Sequence, residues 1–241
     1  MKIKIINNKN YKKIFFIEKK RITFKEIVPI GCDCHTAHLL KKINLRKHSL
    51  PFDWLYTNPV KGIEFVTKNS NESFQNFQKN MFYNSNGYLV SEKYTYSEFI
   101  HEKDLLDNTS SQDKVKRRTE RFLTIIKEKK CQFLYSLHRK SMNDISDADY
   151  FISSVIEFLT LLKKNDKLFI YLTYDEAIVA NDNISNYLIS KLNDLKKVKI
   201  VKYEKNISKY GIWGNEKDYL QLINQFGIKS IPFIKVFFKN K

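Results

Sequence analysis

The sequence predicts an α/β fold of three layers, with helices on both faces of a mainly parallel central sheet. From residue 111 onward, segments with helical periodicity alternate with short apolar runs. This order is typical of strand–helix–strand crossovers, which place their strands in parallel. The apolar runs are continuous rather than alternating, as expected for strands that are buried on both faces. No internal repeat or linker is visible, so residues 1–241 are predicted to form a single domain.

Each predicted element rests on the spacing of its apolar residues and on the residues that bound it. Strands are predicted over residues 2–6, 13–17, 26–30, 88–90, 131–137, 167–174 and 198–203. Helices are predicted over residues 34–44, from Asn58 onward, and over 70–81, 111–129, 147–164, 184–195 and 215–226. The first two strands are expected to pair as a hairpin. Residues 56–112 do not follow the alternation and are predicted to be a helical and loop insertion.

The net charge of +17 comes from 43 lysine and arginine residues against 26 aspartate and glutamate residues. Such a charge favours an anionic partner, for example a nucleic acid, a membrane surface or an acidic polysaccharide. It is also expected if a lysine-rich composition simply spreads its charges over solvated faces. No zinc-finger spacing, recognition helix or RNA-binding aromatic motif accompanies the charge, so nucleic acid is not the predicted partner.

The number of cysteines and the lengths of the apolar segments indicate in which cellular compartment the protein is expected. Cys32, Cys34 and Cys131 are an odd number, which does not suggest a secreted disulfide framework. Cys32 and Cys34 lack a second pair at zinc-binding spacing, so no metal site is predicted. No run approaches about 18 apolar residues, and residues 1–10 lack the apolar core of a secretory signal. We therefore expect a cytoplasmic protein, either free or held at the inner face of the membrane.

The residues from 26 to 44 combine a strand, a glycine turn and a helix with a cysteine at its start. Gly31 ends the apolar run, Asp33 can cap the helix, and Cys34 falls in its first turn. Free amides and the dipole of a helix N-terminus stabilise a thiolate, and the same amides could hold an oxyanion. Asp33 opposes the thiolate unless its carboxylate is occupied as the cap. Cys34 is thus a candidate nucleophile, with Cys32 as a second candidate, although buried cysteines also serve packing alone.

A thiol nucleophile needs a base, and two histidines are placed to act as one. His101 lies in a loop-like segment beside Glu102. His138 ends the strand at 131–137, and Cys34 follows the strand at 26–30. If these strands are parallel, both residues lie at the sheet edge where α/β proteins bind ligands. For any single histidine, a surface position or a satisfied place in the core is the more common situation.

Residues 51–54, Pro-Phe-Asp-Trp, form a second cluster of uncommon residues. Phe52 and Trp54 are large apolar anchors, and a carboxylate held between them must find partners. Asp53 could orient a histidine, hold Arg46 or cap a turn. Three arginines on the helix at 111–129 could bind an anionic substrate, but a surface helix explains them equally well. They are Arg117, Arg118 and Arg121.

The pattern formed by these blocks resembles that of a known bacterial family. The first block is Ile30-Gly31, Cys34, Ala37 and Leu40, and the second is Leu45-Arg46, Ser49 and Pro51-Phe52-Asp53-Trp54. Both resemble the putative papain-like cysteine peptidases of unknown function, whose genes often occur among surface-polysaccharide genes. Weaker similarities are residues 99–102, the basic helix at 117–123 and the turn at 213–215. Together they span most of residues 26–226.

The resemblance implies a catalytic cysteine–histidine pair. By this similarity Cys34 is the nucleophile, His101 is the preferred base and Asp53 orients the base, with His138 as the alternative base. The predicted binding residues are Gly31, Arg46, Trp54 and Arg118. Papain-like folds use an antiparallel sheet beside a helix, so that arrangement remains an alternative to the parallel sheet. A related capsule-biosynthesis group looks like acyl-transfer enzymes that bind coenzyme A, which makes coenzyme A a candidate acyl donor.

The predicted function is therefore thiol-dependent hydrolysis or acyl transfer through a thioester, in the metabolism of a cell-surface polysaccharide. Its expected partner is an anionic small molecule or a glycan precursor. The first alternative is a non-catalytic module for an anionic glycan or lipid, in which Cys34 lies more than about 6 Å from every imidazole, beyond hydrogen-bond reach. The second is a nucleic-acid-binding protein, which is supported by charge alone.

Overall fold

The computed structural model describes residues 2–8, 11–175 and 182–240. Its strands are Lys2–Asn8 (β1), Tyr11–Thr23 (β2), Glu26–Pro29 (β3), Tyr56–Thr57 (β4), Met81–Tyr83 (β5), Leu89–Ser91 (β6), Tyr94–Phe99 (β7), Cys131–His138 (β8), Lys167–Asp175 (β9), Val198–Lys205 (β10) and Ser230–Asn240 (β11). Its helices are His35–Lys42 (α1), Gly62–Asn71 (α2), Thr109–Glu128 (α3), Ile145–Leu159 (α4), Asn183–Asn193 (α5), Ile207–Tyr210 (α6) and Glu216–Gln225 (α7).

A four-stranded sheet with the order β10-β9-β8-β3 forms the middle layer, and every pair in it is parallel. Successive residues of its strands are buried on opposite faces. Leu134 and Phe169 pack with residues of α1 and α7, whereas Phe133 and Leu168 pack with residues of α3, α4 and α5. Burial on both faces explains the continuous apolar runs. The prediction of a three-layer α/β fold with a mainly parallel sheet is confirmed.

Residues 56–99 build a second sheet instead of a helical and loop insertion. Its order is β4-β7-β6-β5, its pairs are antiparallel, and α2 lies between β4 and β5 in the chain. The predicted strand at 88–90 corresponds to β6, but the helix predicted at 70–81 is wrong. Ser73 and Phe74 have φ values of 48° and 62°, so α2 cannot continue through them. The helical spacing of Phe74 and Phe77 reflects a different structure, in which both rings pack on Phe52.

The third sheet, with the order β1-β2-β11, is antiparallel. The hairpin of β1 and β2 confirms the prediction for residues 2–6 and 13–17. Strand β11 was not predicted, and it contains Pro232, which has no N–H to donate. Because β11 lies at the sheet edge, the proline is tolerated there. Within the residues that the structure describes, no helix is long and apolar enough to cross a membrane.

Candidate active site

A cavity of about 530 Å³ lies at the carboxyl edge of the parallel sheet, where such sheets bind ligands. The ends of four parallel strands bring distant parts of the sequence together there. The cavity is lined by Asp33, Cys34, His35, His38, Trp54, Ile100, His101, His138, Lys140, Thr173, Tyr174, Lys205, Ile207, Ile212 and Trp213. It therefore holds four of the chain's five histidines together with the predicted nucleophile.

The turn after β3 places Cys34 at the start of α1. The helix begins at His35, so Cys34 is the residue immediately before it. Asp33 Oδ1 accepts a hydrogen bond from the His35 N–H at 2.9 Å, as a helix cap does. Gly31 is required by packing, since a Cβ there would lie 2.3 Å from Thr36 Oγ1 and 3.1 Å from Ser136 Oγ. The missing side chain lets the turn lie directly against β8.

Cys34 and His101 are in contact, although 67 residues separate them. Cys34 Sγ lies 3.2 Å from His101 Nε2, within hydrogen-bond distance for sulfur. His101 follows β7, and its imidazole packs against the edge of the Trp54 ring, with the centroids 5.6 Å apart. A thiol beside an imidazole at this distance has the geometry of a nucleophile with its base.

The Cys34 thiol is kept protonated by its surroundings. Burial raises its pKa to about 11, and the nearby charge of Asp33 contributes in the same direction. The argument from the helix N-terminus predicted a stabilised thiolate, and this part of the prediction is wrong. The amides of α1 do not outweigh burial and Asp33. Any reaction of Cys34 at neutral pH therefore needs a group that takes its proton.

His138 contacts Asp33 at the floor of the cavity. Its Nε2 lies 2.8 Å from Asp33 Oδ2, an ion pair without the alignment of a hydrogen bond. Burial opposes the charge on the imidazole, but the contacts with Cys32 and Asp33 raise the pKa of His138 to about 10. Burial likewise opposes ionisation of Asp33, yet the bond to His138 holds the pKa of this carboxyl well below its usual range. The alternative base is thus engaged with a carboxylate.

Asp53 lies behind the cavity, and its hydrogen bonds do not go to a histidine in the described part of the chain. Its side chain accepts from Arg46 at 2.5 Å and from the Leu50 N–H at 2.9 Å. Burial raises the pKa of Asp53, an effect that Arg46 partly offsets. The Arg46 guanidinium also lies over the Trp54 ring, 5.1 Å from its centroid. Asp53 therefore contacts Arg46, which in turn contacts Trp54, and of these three residues only Trp54 lines the cavity.

A second buried ion pair supports the segment that carries His101. Glu102 is 5% exposed and pairs with Arg118 at 2.8 Å and with Lys114 at 2.5 Å, both on α3. The backbone next to His101 is thereby fixed to a long helix. Of the predicted binding residues, Trp54 lines the cavity. Arg46 and Arg118 are not among the described residues of its lining. Both arginines hold carboxylates in the layer behind the site.

The remaining two histidines of the cavity have different surroundings. His35 is buried, with Nδ1 3.0 Å from the Tyr171 hydroxyl and Nε2 3.4 Å from that of Tyr219, and burial lowers its pKa to about 3. It is a neutral core histidine. His38 stacks on Trp213, with ring centroids 4.2 Å apart. The similarity at residues 213–215 thus corresponds to one wall of the cavity.

Several residues of the cavity were not singled out from the sequence. Thr173, Tyr174 and Lys205 end β9 and β10, so the rule that ligands bind at the carboxyl edge would have found them. Ile207 and Ile212 lie in and beside the short helix α6, and they are 40% and 62% exposed. Apolar side chains that exposed are a signal for a binding surface.

Comparison with known proteins gives a family but little detail. No solved structure matches the chain significantly. An uncharacterized protein of Acanthamoeba polyphaga mimivirus is 36% identical over 52 residues. That match covers 22% of this chain and 23% of the viral protein, so the chain spans less than a quarter of this relative. Residues 25–170 match the family described as "Putative papain-like cysteine peptidase", and the chain belongs to this family.

Proposed function

We propose that the protein is a thiol-dependent hydrolase or acyltransferase that works through a thioester on Cys34. The observation that carries the proposal is the 3.2 Å contact between Cys34 Sγ and His101 Nε2 at the wall of a cavity of about 530 Å³. Membership of the papain-like family supports cysteine chemistry of this kind. The same contact speaks against the non-catalytic alternative, which places Cys34 beyond about 6 Å from every imidazole.

The reaction follows from the protonated state of the thiol. His101 Nε2 takes the proton as Sγ attacks the carbonyl carbon of the substrate, which gives a tetrahedral oxyanion. The oxyanion collapses to a thioester, and the imidazolium returns its proton to the departing group. Water or an acceptor hydroxyl then attacks the thioester with His101 again as base. The products are an acid or a new ester, and the Cys34 thiol is restored.

The backbone amide of Cys34 is a candidate donor to the oxyanion. Burial and Asp33 raise the pKa of the Cys34 thiol and outweigh this amide, but the amide acts to lower it, so it favours negative charge at this position. The His35 N–H donates to Asp33 and is already engaged. We assign the Cys34 N–H as the oxyanion donor, because donors aimed at developing charge provide much of the rate enhancement in acyl transfer.

The cavity favours a substrate with an apolar part and an anionic part. Trp54, Trp213 and Ile212 provide aromatic and aliphatic surface, while Lys140 and Lys205 bring positive charge to the same cavity. An anionic acyl donor such as an acyl thioester of coenzyme A, or a precursor of an acidic surface polysaccharide, has this combination. The basic surface of the chain, with its net charge of +17, would also attract such substrates.

The proposal is tested by trapping the acyl-enzyme. Purified protein is incubated with p-nitrophenyl acetate, and separately with acetyl-coenzyme A, and is then analysed by intact and peptide mass spectrometry. We expect one acetyl group on Cys34 that hydroxylamine removes, and none in Cys34→Ala. His101→Ala should acylate at least about 100-fold more slowly, the lower range for a lost general base. Cys131→Ala is the matched control, since Cys131 is buried outside the cavity. Acetylation confined to lysines would refute the proposal.

A further inference from the structure

Beside the proposed nucleophile, three side chains with metal-binding chemistry converge at the sheet edge. They are Cys32 and Asp33, from the turn after β3, and His138, from the end of β8. One sulfur, one carboxylate oxygen and one imidazole nitrogen from them all lie within 4.8 Å of one another. From this geometry we propose that they bind one Zn²⁺ ion, a role that is separate from the Cys34–His101 reaction.

The distances fit a zinc ion after small side-chain rotations. Zinc binds sulfur at about 2.3 Å and nitrogen or oxygen at about 2.0–2.2 Å, so neighbouring ligand atoms in a tetrahedron are about 3.3–3.7 Å apart. His138 Nε2 and Asp33 Oδ2 are 2.8 Å apart and need to open slightly, whereas any separation near the 4.8 Å limit needs to shorten. The ion then takes the position between the imidazole and the carboxylate.

The buried nitrogen of His138 supports the same interpretation. Within the described residues, His138 Nε2 is buried and makes no aligned hydrogen bond. Buried polar atoms nearly always have a hydrogen-bond partner or a metal, so a nitrogen of this kind requires an explanation. His138 Nε2 has the 2.8 Å ion pair with Asp33 but no directional partner. A metal ion bound between the three side chains would displace the proton of His138 to solvent and give this nitrogen such a partner.

Ser136 provides an outer shell for two of the ligands. Its hydroxyl donates to Asp33 Oδ1 at 3.3 Å and lies 3.7 Å from Cys32 Sγ. The thiol of Cys32 currently donates to the Ser136 carbonyl oxygen at 3.2 Å, and it loses this proton when the thiolate binds metal. Outer-shell groups that orient ligands are a regular part of metal sites.

The ligand types decide the class of metal. A thiolate and an imidazole select Zn²⁺ and similar borderline ions, whereas Mg²⁺ and Ca²⁺ require oxygen ligands. Three protein ligands leave a fourth position of the tetrahedron, as in catalytic rather than structural zinc sites. Asp33 and His138 line the cavity, although Cys32 does not, so we expect the fourth position to be reached from the cavity. The cysteine spacing alone could not predict the site, because its histidine comes from a distant strand.

The test is a titration of tag-free, chelator-treated protein with Co²⁺, which reports thiolate ligation by a charge-transfer band in the near ultraviolet. We expect one equivalent to bind and Zn²⁺ to displace it. Cys32→Ser should lose the band and bind at least about 100-fold more weakly, beyond the 10- to 100-fold typical of outer-shell changes. Cys131→Ser and Cys34→Ser are the controls and should keep the band, which separates this site from the proposed nucleophile.

His138→Gln should also weaken Co²⁺ binding at least about 100-fold, and this variant decides the question if Cys32→Ser fails to fold. Thermal unfolding of each metal-free variant shows whether it is folded. The proposal is overturned if the wild type binds less than half an equivalent, if the band survives in Cys32→Ser, or if it disappears in Cys34→Ser.

Discussion

At the scale of single residues, the site depends on which carboxylate holds which cation. Three carboxylates lie in or directly behind the cavity, and each has a basic partner. Asp33 pairs with His138, Asp53 with Arg46, and Glu102 with Arg118. The pairs leave His101 as the imidazole in contact with Cys34. His101 is therefore placed to act as the base for Cys34, whereas His138 is engaged with Asp33.

The pair of Asp53 and Arg46 is the most buried of these, with side chains 0% and 12% exposed. Arg46→Met should lower the free energy of unfolding by about 3–5 kcal/mol, since it leaves a buried carboxylate unpaired. Urea unfolding measures this loss. Arg117→Met, at an exposed position of α3, is the control and should cost less than about 0.5 kcal/mol. The double variant Arg46→Met/Asp53→Leu should recover most of the stability. A loss below about 1 kcal/mol in Arg46→Met would show that the pair is not stabilising.

Residue types and spacing predicted part of this chemistry. The glycine turn, Cys34 and residues 51–54 stand out in the sequence, and the family similarity directs attention to His101. The partners of Asp53 could be guessed, because Arg46 is close along the chain. The pairing of Asp33 with His138 could not be predicted, since it depends on two strands becoming neighbours and on which rotamers fit between them. The raised pKa of Cys34 could not be predicted either, because it depends on how deeply the folded chain buries the thiol.

At the scale of elements, the turn between β3 and α1 is packed so closely that it has no room for a side chain at Gly31. Gly31→Ala should destabilise the fold by about 2–3 kcal/mol, the upper part of the usual cost of overpacking, because its Cβ would meet Thr36 Oγ1 at 2.3 Å. Thr36 cannot move freely, as Oγ1 is 2.9 Å from the Tyr171 hydroxyl. Thermal and urea unfolding measure the effect. Gly87→Ala is the control, since its Cβ has nothing within 4 Å and only a φ of 74° to accommodate, at roughly 1 kcal/mol. Equal losses in the two variants would contradict the packing argument.

The start of α5 gives a pH-dependent prediction. Asp182 caps this helix and lies 2.9 Å from Arg139 Nη2, and although burial opposes ionisation, this pairing holds the pKa of Asp182 well below its usual range. A lowered pKa stabilises the folded state fully above the unfolded value of about 3.9, and the stabilisation is lost as the pH falls toward the folded value. Asp182→Asn keeps the cap but removes the charge.

We therefore expect Asp182→Asn to lower stability by about 1 kcal/mol at pH 7 and by progressively less as the pH falls below about 4. Thermal unfolding of both proteins across this range measures the difference. Glu120→Gln, at an exposed position of α3, should show no such trend. A difference that stays constant down to pH 2 would mean that the charge of Asp182 does not contribute.

Secondary structure was predictable where periodicity and burial agree. The alternation after residue 111 produces the strand–helix–strand crossovers of the parallel sheet in the expected order, and each predicted strand of the central sheet exists. The prediction fails for residues 70–81, where backbone turns place phenylalanines in the core at a spacing that imitates a helix. It also fails for β11, since its partner β2 lies far along the chain and local sequence does not reveal the pairing. Strand β7 was missed as well, although it pairs with the neighbouring β6 in addition to the more distant β4.

At the scale of the whole molecule, the cavity joins two regions with different relations to the family. The nucleophile, the base and Trp54 lie within residues 25–170, which match the family. One wall lies beyond that match and is formed by Tyr174, Lys205 and the segment 207–213. We propose that the first region carries the chemistry and the second selects the substrate. We also propose that the chain is one domain, since a continuous core joins the central sheet to the second sheet.

Trp213 tests this division of roles. Trp213→Ala should slow the labelling of Cys34 by a benzyl-substituted electrophile by about 10-fold relative to iodoacetamide, because one apolar contact discriminates by about this factor. The ratio of the two second-order rate constants is measured by mass spectrometry. Tyr210→Ala, which changes a similarly exposed aromatic residue outside the cavity lining, is the control. An unchanged ratio in Trp213→Ala would remove this wall from substrate selection.

The central claim is that Cys34 is a nucleophile assisted by His101, and labelling by iodoacetamide at neutral pH tests it most directly. Cys32 and Cys131 are both 0% exposed and should not react in the folded protein. We expect the wild type to gain one label on Cys34, Cys34→Ala to gain none, and His101→Ala to react at least about 10-fold more slowly. Equal labelling of the wild type and Cys34→Ala, or an unchanged rate in His101→Ala, would contradict the account.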